Sequence, residues 1–122
     1  MNELNIRLNS DANTFAPGQT VEGTISWKLD EDPQKLTLAL HWYTQSGAVK
    51  QSGMADSIEL ERPAGNGSKD FSFEIPQGPY SFQGRLLSLN WVLELAPLPG
   101  IDLVRQPITV SPMGGRGVLI DK

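Results

Sequence analysis

One histidine, fourteen carboxylates and no cysteine bound the chemistry open to this 122-residue chain. His41 lies between Leu40 and Trp42, on the polar side of an alternating segment. Serine or cysteine hydrolysis needs a base, a nucleophile and an orienting carboxylate within hydrogen-bond reach. With no cysteine and no nucleophile-elbow motif, His41 reads as a strand residue rather than a general base. Asp30, Glu31 and Asp32 present three hard oxygen donors just before Pro33. Calcium takes about six to eight oxygens from spaced positions, and neither an EF-hand pattern nor a second acidic cluster accompanies them. They read as a solvated loop. Gly114-Gly115-Arg116-Gly117 lacks the lysine and the strand-to-helix setting of a phosphate-binding loop. Asn66-Gly67-Ser68 matches the glycosylation acceptor pattern, but no secretory signal accompanies it, so it reads as a turn. The expectation is a protein without catalytic, cofactor-binding or metal-binding residues.

Composition narrows the classes further. Ten basic against fourteen acidic residues give a net charge of -4 without a Lys/Arg cluster, which excludes phosphate neutralisation as a driving force and nucleic acid as a partner. No apolar run approaches the roughly 20 residues that span a bilayer. The amino terminus, Met1-Asn2-Glu3-Leu4-Asn5-Ile6, lacks the basic start and apolar stretch of an export signal. A soluble, cytoplasmic protein is expected, held together by hydrophobic burial because disulfides are impossible.

The elements are strands. Period-two alternation sends every second side chain to one face of a pleated strand. It runs through Leu4, Ile6 and Leu8; through Val21, Gly23, Ile25, Trp27 and Leu29; through Leu36, Leu38, Leu40 and Trp42; through Phe71, Phe73 and Ile75; and through Leu87, Leu89, Trp91, Leu93 and Leu95. Ser57 to Glu61 and Asp102 to Val110 are weaker candidates, the second an edge or bulged strand because Pro107 has no ladder donor. Breakers fall between them at Pro17-Gly18, Asp32-Pro33, Ser46-Gly47, Gly65-Asn66-Gly67, Gly78-Pro79 and Pro99-Gly100, with Asn66-Gly67 suited to a tight hairpin. No capped 3.6-residue apolar stripe appears. Seven or eight short strands, each with one apolar face, pack most simply as an all-β, antiparallel two-sheet β-sandwich of immunoglobulin-like architecture. Residues 1–112 form that domain, and 113–122 form a glycine-rich tail.

Two motifs resemble the arrestins and their relatives, which include a retromer subunit and a bacterial sporulation-control family. Phe15-Ala16-Pro17-Gly18-Gln19-Thr20-Val21-Glu22-Gly23-Thr24-Ile25 is similar to the family's aromatic, Pro-Gly, Val-x-Gly-x-Val entry into an early strand. Phe71-Ser72-Phe73-Glu74-Ile75-Pro76, then Pro79-Tyr80-Ser81-Phe82-Gln83-Gly84 and the strand through Trp91, resembles its strand ending in proline, its Pro-x-Ser turn and its long following strand. Pro107-Ile108-Thr109-Val110 is similar to a closing strand. The resemblance spans Leu4 to Val110 and implies one lobe of such a fold with a binding, adaptor or scaffolding role. The phosphate-sensing basic residues and polar core of the signalling arrestins have no matching positions here.

A protein partner, possibly a second copy, is therefore expected, with no cofactor. Trp27 and Trp91 share register with aliphatic residues and read as core. Trp42 and Tyr43 point to opposite faces, so one of them is a candidate for a binding surface. Val118, Leu119 and Ile120 form an apolar trio beyond the glycines, suited to adding a strand to a sheet edge. The alternatives are a self-assembling structural subunit joined through strand edges and a small-ligand or carbohydrate-binding sandwich.

Overall fold

Alternating side chains become two packed layers in the computed structural model, which describes residues 2–9, 13–46, 51–83, 87–100 and 102–111. The described strands are β1 (Glu3–Leu8), β2 (Thr14–Phe15), β3 (Thr20–Lys28), β4 (Lys35–Ser46), β5 (Ser52–Glu61), β6 (Asn66–Glu74), β7 (Phe82–Gln83), β8 (Leu87–Leu98) and β9 (Val104–Val110). Seven of the nine described strands are longer than two residues, in line with the seven or eight expected; β2 and β7 are two-residue strands too short to show a period. The smaller sheet is ordered β1-β3-β6, and the larger is ordered β2-β9-β8-β4-β5 with β7 also on β8. β4 and β8 pair antiparallel from Lys35 opposite Leu98 to Ser46 opposite Leu87, the longest ladder among the described residues.

The chain passes between layers at turns whose residues require them. Gln19 N–H donates to Ala16 O across Pro17-Gly18, and Gly18 has φ of 87°, so this is the proline-then-glycine turn that only a residue tolerating positive φ completes. It carries the chain from β2 in the large sheet to β3 in the small one.

Leu38, Leu40, Phe73, Leu89, Trp91 and Leu93, read as inward from their phase, are at most 6% exposed. They join Val21, Ile25, Leu36, Ile75, Leu95 and Val110 in one core between the sheets. Trp27 and Trp91 are also buried, and each satisfies its indole: Trp27 Nε1 donates to Ala64 O at 2.9 Å and Trp91 Nε1 to Pro79 O at 2.8 Å. An unpaired indole N–H in this setting would be costly.

Asn66-Gly67 is not a hairpin turn. Both residues lie in β6, with Asn66 opposite Lys28 and Gly67 opposite Trp27. The glycine answers a packing need: a Cβ there would sit 2.9 Å from the Trp27 ring. Two further inward glycines oppose an aromatic in the same way, Gly23 opposite Phe71 and Gly53 opposite Trp42. Added Cβ atoms would lie 2.8 Å from Phe71 Cζ and 2.7 Å from Trp42 Nε1. Each ring therefore lies over the bare backbone of its cross-strand neighbour, replacing the side chain that glycine lacks. Pro107 stands opposite Val92 in β9, and because β2 pairs only with Thr109 and Val110, the rest of β9 has one edge without a described neighbour. A proline is tolerated at such an edge. The bulge lies instead in β5.

Candidate partner-binding face

The bulge decides what the large sheet shows to solvent. Register slips by one between Leu40 and His41, leaving Ala55 as the extra residue of β5. Unbroken pairing would set Met54 opposite Trp42 and point it inward, since a one-residue shift reverses every side chain. With the bulge, Gly53 opposes Trp42 and Met54 opposes His41. Trp42 thus lies half-buried against the core, while Met54 stands on the outward face, 66% exposed.

The outward row continues in register across four strands: Met54 opposite His41, His41 opposite Val92, Val92 opposite Pro107. Val92 is only 3% exposed although it lies outside the core between the sheets. Tyr43, one row along, opposes Ser52 and Asn90. It walls a recess of about 270 Å³ with Asn90, Val92, Arg105, Pro107 and Thr109, and a second of about 320 Å³ with Thr44, Gln45, Gln51 and Ser52. His41 is half-buried, and its Nε2 makes no hydrogen bond among the described residues. Ala39 and Ala96, further along β4 and β8, keep the middle of the face low.

Charges rim this face. Arg105 Nε donates to Glu94 at 2.6 Å, and this hydrogen bond, then Coulombic attraction to Glu94, raises the guanidinium above its ordinary value. Lys35 lies 3.5 Å from Glu59 and 3.8 Å from Glu61. These pairs are solvated, so Arg105→Ala should lower stability by less than about 1 kcal/mol in a urea titration. The outward face of the small sheet differs in kind, with rows such as Glu3-Lys28 and Arg7-Thr24-Asp70 that are polar throughout.

Sequence reading placed Trp42 and Tyr43 on opposite faces, and the structure does the same; Tyr43 is the one on the outward surface. Val118, Leu119 and Ile120 lie outside the described residues. Pro107 was marked in the sequence only as an edge residue, and Met54, Val92, Asn90 and Arg105 were not singled out, because assembling them into one face requires the register of three strand pairs. One local signal existed: Val92 is an apolar residue between the polar Asn90 and Glu94 in the outward phase of β8.

The acidic loop acquires a distant companion. Asp102 lines a recess of about 240 Å³ with Asp30, Glu31 and Asp32 at one end of the sandwich. Asn2 ties it down, its amide donating to Asp102 at 2.7 Å and its carbonyl accepting the Asp30 N–H at 2.9 Å. Among the described residues, no group of three or more His, Cys, Asp or Glu side chains is placed to hold a metal ion. No described helix is long and apolar enough to cross a membrane.

No protein-family model matches the chain, and no curated protein matches it. Among solved structures it is similar to Spo0M, a sporulation control protein from Bacillus subtilis, with a TM-score of 0.62 and 20% identity over 89% of this chain and 49% of that one. The chain thus spans about half the length of that protein, and the two share the arrestin-like β-sandwich fold. Weaker similarities are to a superoxide reductase (neelaredoxin) from Ignicoccus hospitalis, with a TM-score of 0.49, 13% identity and coverage of 88% and 80%, and to a β-glucosidase from Listeria innocua, with a TM-score of 0.46, 12% identity and coverage of 89% and 16%.

Proposed function

We propose that this arrestin-like sandwich is a non-enzymatic protein-binding module of the adaptor kind, and that its docking surface is the outward face of the large sheet around Tyr43. The supporting observation is the in-register row Met54, His41, Val92, Pro107, bordered by Tyr43 and by the Arg105–Glu94 pair. An apolar centre with a polar rim is the anatomy of a protein interface. The partner is a polypeptide that seats an apolar side chain beside Tyr43 and meets Asn90 and Arg105 with polar groups.

The strand edges support the face over self-assembly. β5 carries the bulge at Ala55, β6 carries the exposed charged residues Lys69 and Asp70, and β9 has Pro107 on its open stretch. Each is a device that discourages edge-to-edge pairing. The chain is accordingly expected to sediment as a monomer at about 100 µM, where a dimer with a micromolar dissociation constant would be mostly associated.

Cross-linking capture at native abundance tests the face when three baits are compared. A protein held by the wild type, lost with Tyr43→Asp and Met54→Asp, and retained with Ser72→Asp on the small sheet supports the reading. Capture that ignores all three substitutions, or none at all, rejects it.

A further inference from the structure

We propose that Met54 is a site of reversible oxidation by peroxides, and that the sulfoxide oxygen formed there accepts a hydrogen bond from His41 Nε2. Two observations meet at this pair. Met54 is 66% exposed, which opens its side chain to a dissolved oxidant. His41, its cross-strand neighbour on the same face, has its Nε2 shut away from solvent with no hydrogen-bond partner among the described residues. A buried polar nitrogen left unpaired is costly. The polar side chains flanking Val92 along β8 are engaged elsewhere: Arg105 holds the Glu94 carboxylate, and the Asn90 amide donates to Ser88 and Gln45.

The reduced thioether does not fill the need, because methionine sulfur is only a weak acceptor. In the oxidation a sulfur lone pair attacks the outer oxygen of the peroxide, and the S–O bond forms as the O–O bond breaks. Sulfur gives up two electrons, the proton of the transferred hydroxyl moves to the leaving oxygen, and the peroxide departs as water or an alcohol. The product is polar and carries an oxygen acceptor. Cβ atoms directly opposite across a strand pair are about 4.5 to 5.5 Å apart, and methionine is flexible enough to turn the new oxygen toward the imidazole. Neutral imidazole has one N–H, and an acceptor at Nε2 holds the proton on that nitrogen. The bulge creates the pair, since without it Met54 would oppose Trp42 and point inward. On the reading of this face as the docking surface, the modification sets a polar group at one end of the apolar row and weakens the hold on a partner; the modification itself does not rest on that reading.

A single histidine makes the contact readable, since every imidazole signal belongs to His41. Full-length wild type and full-length Met54→Leu are each treated with hydrogen peroxide, oxidised residues are located by peptide mass mapping, and the His41 ring is followed by nitrogen-resolved NMR. In the wild type Met54 should gain an oxygen atom, and exchange of the Nε2 proton with solvent should slow about fivefold, the factor a net hydrogen bond supplies. In Met54→Leu, where Met1 and Met113 are the methionines left to oxidise, the ring should not change. Resistance of Met54 to peroxide overturns the proposal. So does an unchanged ring after full conversion of Met54, or an equal response in Met54→Leu. Bait comparison and peroxide treatment fail independently: capture lost with Met54→Asp beside an unchanged ring keeps the docking face and removes the oxidation contact. A ring response with no captured protein does the reverse.

Discussion

Trp91→Ala is expected to remove about 4 to 5 kcal/mol of folding stability, a large share of the 5 to 15 kcal/mol typical of a domain. Trp91 is 1% exposed and stands in the middle of β8, between β4 and β9. Truncation leaves a cavity bounded on both sides by paired strands, so little collapse is available to fill it. It also strips Pro79 O of the indole N–H that reaches it at 2.8 Å. Trp91→Phe separates the two effects, keeping most of the volume while losing the donor, at a cost of about 1 to 3 kcal/mol. Urea titration of the three proteins measures both. A loss below about 2 kcal/mol for Trp91→Ala would contradict its central position.

Gly23→Ala is the second large effect, at about 3 kcal/mol, the upper end of ordinary overpacking. A Cβ at Gly23 would collide with the backbone oxygen of Arg7 as well as the Phe71 ring. Arg7 is paired within the β1–β3 ladder, so it gives way only by moving β1. Gly67→Ala is the internal comparison: its nearest atom, 2.9 Å away, belongs to the Trp27 side chain, which shifts more cheaply than a strand. That variant should lose about 1 kcal/mol. Similar losses for the two variants would mean that the clash with Arg7 is relieved without cost.

The layers and the inward phase of β1, β3, β4, β8 and the second half of β6 were legible in the sequence because burial of one face imposes a period of two directly on residue type. Tyr43 was legible for the same reason, being out of phase with Leu38 and Leu40. What stayed hidden was whatever depends on pairing between distant strands. Gly67 is followed by a serine and preceded by an asparagine, the composition of a turn, and only its position opposite Trp27 turns it into a strand residue. The row from Met54 to Pro107 required the slip at Ala55, which no local pattern announces. Spacing between Asp32 and Asp102 likewise concealed their shared recess.

The β4–β8 ladder has a consequence for synthesis. About fifty residues separate Leu40 from its partner Leu93, and ribosomes add about 5 to 20 residues each second. For several seconds, then, β4 and β5 are outside the ribosome with one flank of β4 unpaired and Leu36, Leu38 and Leu40 lacking the strand that later lies beside them. The nascent chain is most open to aggregation in that interval, and a holdase that binds extended aliphatic segments would engage it there, before β8 emerges.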